Sequence, residues 1–179
     1  MPNAGKVFEN EIKNSIPDGV MYYRIKDPAQ GFGGSSTTRF SLHNQCDALL
    51  YKYPRLIALE LKSTQSTSIP FSFTDNKKSI KKCQIYGLCD FSLYKGITAG
   101  FLMNFRKTEK TYYLDIDGFL RFMIDTSKSS INEKDIIEYG GIIIPSQKKR
   151  TRSVYNIGIL FNERREEDWT CMLTSTIQL

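Results

Sequence analysis

The sequence predicts an α/β domain, a mixed central sheet flanked by helices. Three observations predict it. Segments with helical apolar spacing alternate with strand-like runs in the order helix, strands, helix, strands, helix. The length of 179 residues suits one domain with one sizeable core. Apolar residues make up 40% and charged residues 25%, which excludes a wholly disordered chain. Residues 1–179 therefore read as one domain, with a glycine-rich loop at 28–45 and an unassigned tail at 162–179.

Val7, Phe8 and Ile12 recur at helical spacing behind Asn3, a suitable cap, so residues 4–15 read as a helix. Pro17, Asp18 and Gly19 end it, and Val20–Ile25 reads as a short strand. Gly31-Phe32-Gly33-Gly34-Ser35-Ser36-Thr37-Thr38 has the composition of a loop. Cys46–Lys52 and Leu56–Lys62 read as strands joined by a turn at Tyr53-Pro54-Arg55. Lys77–Lys95 reads as the longest helix, with Ile80, Cys83, Leu88 and Phe91 as its apolar stripe and Gly96 as its C-terminal cap. Ile97–Phe105 is a buried-type strand, Arg106–Lys110 a charged turn, and Thr111–Ile116 a further strand. Asp117 suits the cap of a short helix through Met123, and Ser130 with Glu133 has the spacing of a capping box. Ile142–Ile144 and Val154–Phe161 read as strands on either side of a basic loop, Gln147–Ser153.

The residue inventory removes several classes of chemistry. His43 is the single histidine and falls in a polar stretch, so a polyhistidine zinc site cannot form within one chain. A serine or cysteine triad would need that same residue. Cys46, Cys83, Cys89 and Cys171 include no C-x-x-C pair, and they read as free thiols of a reducing compartment, with Cys46 and Cys83 in the core. No apolar run approaches the roughly 18–20 residues that cross a bilayer, and the first twenty residues hold no continuous apolar segment. The expectation is a cytoplasmic protein with no membrane partner. Lys plus Arg exceeds Asp plus Glu by 25 to 19, a net charge of +6 that is compatible with a polyanion but common among basic proteins.

The informative segment is Asp47 to Lys62. Strand alternation sends Ile57, Leu59 and Leu61 to one face and Ala58, Glu60 and Lys62 to the other. A hairpin turning at Tyr53-Pro54 pairs residues whose numbers sum to 107, which sets Asp47 across from Glu60, give or take one residue. Two carboxylates so placed repel unless a proton or cation lies between them. Oxygen ligands on neighbouring strands suit Mg²⁺, and an adjacent ammonium suits a phosphate or an attacking water. A plain ion pair between Glu60 and Lys62 on a solvated strand is the competing reading.

Asp47 followed by Glu60-Leu61-Lys62 resembles the metal site of the PD-(D/E)XK nuclease superfamily, with Cys46 where a proline is usual. Further segments resemble the RecU-type Holliday junction resolvases in the same order over residues 3–157. These are Gly5-Lys6-Val7-Phe8-Glu9, Leu59 to Thr64, Ser68-Ile69-Pro70-Phe71, Gln84-Ile85, Gly96–Phe105, Thr111-Tyr112-Tyr113-Leu114 and Lys128–Asp135. The resemblance implies a restriction-endonuclease-like sheet. It implies that Asp47, Glu60 and the Leu61 carbonyl bind Mg²⁺, which Mn²⁺ could replace, and that Lys62 acts on the water or the scissile phosphate. Glu9 would complete the site. The helical wheel does not separate Glu9 from Glu11, and only the motif favours Glu9. Gln84 would face the metal, whereas a core glutamine bonded to backbone is the alternative.

The resemblance also implies branched DNA as the partner and a homodimer, since two opposed nicks need two active sites. Those resolvases insert a long stalk between the first strand and the aspartate, and here Asp27–Gln45 is shorter and glycine-rich. Ser36, Thr37, Thr38 and Arg39 are its candidate phosphate contacts. Lys77, Lys78, Lys81 and Lys82 form one basic cluster, and Lys148, Lys149, Arg150 and Arg152 form another. The expected function is a Mg²⁺-dependent endonuclease that resolves four-way junctions. A nuclease for flaps, ends or duplexes, a non-catalytic DNA-binding module and a protein-interaction domain are the alternatives.

Overall fold

A hairpin that turns at Tyr53-Pro54 sets the frame of the molecule, because its two strands carry the apolar alternation that both layers of the core pack against. The structure, a computed structural model, describes residues 3–25, 44–75 and 77–162. Helix α1 (Ala4–Lys13) is capped by the Asn3 side chain and leads into β1 (Met21–Arg24). The hairpin is β2 (Ala48–Lys52) and β3 (Arg55–Thr64), followed by β4 (Ser68–Pro70) and α2 (Lys82–Ser92). Then come β5 (Ile97–Phe105), β6 (Lys110–Asp115), α3 (Ile116–Asp125), β7 (Ser130–Asn132) and α4 (Glu133–Glu138). The strands β8 (Ile142–Ile143), β9 (Ser146–Lys148) and β10 (Ser153–Tyr155) precede a 3-10 turn at Ile157–Phe161.

The main sheet is mixed, in the order β1-β2-β3-β5-β6-β8. Only β3 and β5 are parallel, and α2 lies on the crossover between them, as a parallel pair requires. The hairpin pairs Ala48 with Leu59 and Leu49 with Ala58, the register expected from the turn. One face holds Phe8 and Ile12 of α1 against Leu50, Ile57, Leu59 and Leu61. The other holds Ile85 and Leu88 of α2 and Phe119 and Phe122 of α3 against Ala58, Ala99 and Phe101. Helices thus cover both faces of β3, which buries Ala58 and Glu60 as well as the expected apolar row. No helix among the described residues is long and apolar enough to cross a membrane.

Several local expectations are corrected. The long helix starts at Lys82, five residues later than expected, because Ser72 and Asp75 draw the chain into a turn. Ser72 Oγ accepts from the N–H of Asp75, and Asp75 Oδ1 accepts from that of Lys77. Ile80 is buried by pairing with the β4 end, its N–H donating to the Pro70 carbonyl, and not as part of a helical stripe. The helix also stops at Ser92, and Gly96, at φ 84°, serves the turn into β5. Cys83 is half-buried, while Cys46 is fully buried as expected.

Asp115 caps α3 through the Gly118 N–H, in place of Asp117. The capping box before Ile136 is Asn132 with Asp135, because Ser130 is taken into β7 by its pairing with Pro70 of β4. The basic segment 147–153 is a hairpin, β9 with β10, and the strand expected at Val154–Phe161 ends at Tyr155. The glycine-rich stretch Gly31–Thr38, His43 and the tail from residue 163 onward lie outside the described residues.

Candidate active site

The site is built where β2 begins and β3 crosses the middle of the sheet. The Asp47 N–H donates to the Leu59 carbonyl at 2.9 Å, which extends the hairpin register one step beyond Ala48. Asp47 Oδ2 in turn accepts the Leu61 N–H at 2.8 Å, so the carboxylate is fixed against the backbone beside Glu60. Alternation sends Glu60 and Lys62 to the face covered by α2. Glu60 is only 2% exposed, and its carboxyl lies against that of Asp47. Lys62 Nζ donates to Glu60 Oε1 at 2.8 Å.

Helix α2 supplies the remaining polar group. Gln84 Nε2 donates to the same Glu60 Oε1, and Gln84 Oε1 accepts the Lys81 N–H at 3.0 Å. One amide thereby caps the helix and holds the buried carboxyl. The close approach depends on Gly87, one turn further on. A Cβ at that position would fall 2.6 Å from Gln45 Cβ and 2.8 Å from the Gln45 carbonyl oxygen. The helix can rest on the segment that delivers Asp47 only because that Cβ is missing.

Burial pushes the Glu60 carboxyl up to about 8, the Asp47 charge adds to the rise, and Lys62 opposes it. Burial likewise pushes the Cys46 thiol up to about 12, with Glu60 and Asp47 reinforcing the effect, so this thiol stays protonated. The donor set is therefore two hard carboxylates in contact, one of them withdrawn from water. That is a combination a small divalent cation relieves, and Mg²⁺ commonly completes its shell with water. Among the described residues, no group of three or more His, Cys, Asp or Glu side chains is placed to hold a metal ion.

The structure thus brings together Asp47, Glu60, Leu61, Lys62 and Gln84. Glu9 does not join the pair in a group of three that could hold a metal ion. It rides on α1, on the opposite layer, and Arg24 Nη2 stands 2.7 Å from its Oε2. The Tyr22 hydroxyl feels both: burial raises it, Arg24 lowers it, and Glu9 and Asp47 both act to raise it. Glu11 is committed elsewhere, accepting the Ser153 N–H at 2.7 Å. Lys77 and Lys78 are exposed in the turn before α2, Lys81 stands at its cap, and Lys82 Nζ lies 5.5 Å above the Tyr86 ring. Lys148, Lys149, Arg150 and Arg152 are exposed on the β9–β10 hairpin. Ser36, Thr37, Thr38 and Arg39 lie outside the described residues.

Sequence reasoning missed Gly87, Tyr22 and Arg24. A glycine inside an otherwise regular helix is the signal by which Gly87 could have been found. Nothing in a four-residue strand singled out the other two.

No protein-family model matches the sequence. The chain is 35% identical over 176 residues to the SPbeta prophage-derived uncharacterized protein YotM of Bacillus subtilis (strain 168), a match covering 90% of this chain and 86% of that protein. Among solved structures it is similar to Hjc of Archaeoglobus fulgidus, a Holliday junction resolvase from an archaeal hyperthermophile. That likeness has 16% identity and a TM-score of 0.47, and covers 78% of this chain and 95% of that one.

Proposed function

Because the chain belongs to the same family as the prophage protein YotM, we propose one function for it from the geometry of the site: a metal-dependent endonuclease that resolves four-way DNA junctions by paired phosphodiester hydrolysis. The observation that carries this reading is the contact between the carboxyls of Asp47 and the buried Glu60, with Lys62 on the same oxygen. An isolated pair of this kind costs folding energy, and a site that binds a cation explains why the chain keeps it.

In this reading Asp47 and Glu60, with the Leu61 carbonyl, hold Mg²⁺, and Mn²⁺ substitutes. When bound, the ion supplies an acidified water and charge neutralisation at the phosphate. Lys62 orients the attacking water or meets the scissile phosphate. Gln84 holds the Glu60 carboxyl in one rotamer, so the ligand is set before the cation arrives. Glu9, the carboxylate that the resemblance assigns to complete the site, is engaged by Arg24 and stands outside the pair that holds the ion. The loop residues Ser36, Thr37, Thr38 and Arg39 and the lysines before α2 contact DNA phosphates. A homodimer working on DNA in the cytoplasm would present two such sites to the two equivalent strands of a junction.

The test compares DNA forms. The protein is incubated with Mg²⁺ and an end-labelled four-way junction, a flap and a linear duplex of matched sequence. Symmetric nicks in the junction, made well before any cut in the other two, support the reading. Cleavage of flap or duplex at the same rate removes the junction preference and leaves a nuclease of broader substrate. Tight binding with no cleavage under any divalent ion removes the nuclease and leaves a DNA-binding module.

A further inference from the structure

The two basic hairpin tips form one surface. The turn between β5 and β6 carries Arg106, Lys107 and Lys110, and the tip between β9 and β10 carries Lys148, Lys149, Arg150 and Arg152, all exposed. Glu109 and Lys148 are 39 positions apart in the chain, yet Lys148 Nζ bonds Glu109 Oε1 across the two tips. Glu109 is held at φ 55°, a left-handed conformation that is uncommon for a residue with a side chain. The first turn is pinned by Thr108, whose hydroxyl bonds Glu133 Oε1 at 2.8 Å. The second is closed by the Lys149 N–H donating to the Arg152 carbonyl at 2.7 Å. Seven cations are thus presented from a fixed frame, with Glu109 among them and Glu133 at its edge, which leaves a local excess of positive charge.

This surface lies at the catalytic end of the sheet. The Arg106 N–H donates to the carbonyl of Thr64, two residues beyond Lys62 on β3. The cations Lys52 and Lys95 lie at the other end, where the hairpin turns and where the Leu56 N–H meets the Gly96 carbonyl. Seven like charges on two adjoining tips repel one another, and an ordinary solvated face mixes its signs. A polyanion lying along the tips removes that repulsion and releases its own counterions.

We propose that the two tips form a single ridge that grips the phosphates of a double-stranded DNA arm leading into the Asp47–Glu60 site, with Glu109 as an internal counter-charge that weakens the grip. The ridge adds Arg106, Lys107 and Lys110 to the DNA-contacting residues and gives Glu109 a function of opposite sign. The inference rests on the proposal that the substrate is DNA.

The test is equilibrium binding by fluorescence anisotropy, in EDTA, to a labelled junction with duplex arms, over a range of salt concentrations. All variants are built on Asp47→Asn so that no cleavage occurs. The ridge variant is Lys107→Ala with Arg150→Ala. A charge-matched control is Lys52→Ala with Lys95→Ala, and the third variant is Glu109→Gln. All these side chains are exposed, and a thermal melt of each variant shows that it folds. The expected result is at least about tenfold weaker binding for the ridge variant at ~0.1 M salt, with the salt slope lowered by about 1.8, or ~0.9 per lost phosphate contact. The control leaves the slope near that of the parent, and Glu109→Gln binds several-fold tighter. Equal losses in ridge and control variants overturn the ridge, as does weaker binding by Glu109→Gln. A parent that binds no DNA overturns the ridge and the proposed function together, whereas a parent that binds normally with unaffected ridge variants overturns the ridge alone.

Discussion

Lys62 Nζ stands 2.8 Å from Glu60 Oε1 on one face of β3, and the Glu60 carboxyl is almost completely withdrawn from water. Lys62 is the only cation bonded to this carboxyl among the described residues, and the nearby Asp47 carboxyl opposes its charge. In the metal-free protein the balance favours the protonated acid: Glu60 titrates at about 8 when folded against 4.5 in the unfolded chain.

The pH dependence of stability follows in sign. Between those values the folded state holds a proton that the unfolded state has released, so stability falls as pH rises. The contribution is fully present below about 4.5 and lost on passing about 8. Metal-free protein in EDTA is therefore expected to unfold at lower urea at pH 8 than at pH 5.5. Glu60→Gln flattens that part of the profile. An unchanged profile in Glu60→Gln would remove Glu60 as its cause.

Lys62→Met separates the two functions of the ammonium. Its loss leaves a buried carboxyl with one partner fewer, at a cost of about 1–3 kcal/mol in urea denaturation. If Lys62 also orients water or meets the phosphate, single-turnover cleavage falls by about 10²–10⁴ while DNA binding changes little. Equal losses in binding and rate would make Lys62 a phosphate anchor and not a participant in the chemistry.

Gly87→Ala tests how Gln84 is delivered. The new methyl meets Gln45 backbone and Cβ at 2.6–2.8 Å, and backbone cannot yield as the end of a side chain can. The cost is about 1–3 kcal/mol of stability, measured by urea denaturation. Helix α2 is expected to lift away from Gln45, so cleavage falls further than the stability loss explains. Gln84→Ala in the same background then adds little.

Asn104 tests the support on the other face of β3. Its amide bonds Ser63 Oγ at 3.1 Å and Thr111 Oγ1 at 2.9 Å, and both Asn104 and Thr111 are buried. Asn104→Ala removes a partner from two hydroxyls at once and is expected to cost about 1–3 kcal/mol, measured by urea denaturation. Because these groups share one network, the double variant with Thr111→Val costs less than the two single changes added together.

The centre of the site was legible because its signals are local. A two-residue turn fixes the register of a hairpin, so Asp47 and Glu60 could be set opposite one another from numbering alone. Alternation placed Lys62 beside Glu60, and the resemblance to the resolvases marked Gln84. The start of α2 was not legible, because Ser72 and Asp75 compete for backbone groups that the helix pattern assigned to a first turn. The burial of Glu60 was not legible either. Alternation distinguishes the two faces of a strand, but it does not show that a helix covers each of them. The pairing of β4 with β7 and the contact between Glu109 and Lys148 join residues far apart in the chain, and no local pattern encodes them.

The most direct test of the central claim is single-turnover cleavage of a labelled four-way junction by the wild-type protein and by Asp47→Asn, each with Mg²⁺ and with EDTA, together with binding measured on the same DNA. The account predicts paired nicks from the wild type with Mg²⁺, none with EDTA, and a loss of at least about 10³-fold in Asp47→Asn with junction binding retained. Undiminished cleavage by Asp47→Asn, or by the wild type in EDTA, would contradict it.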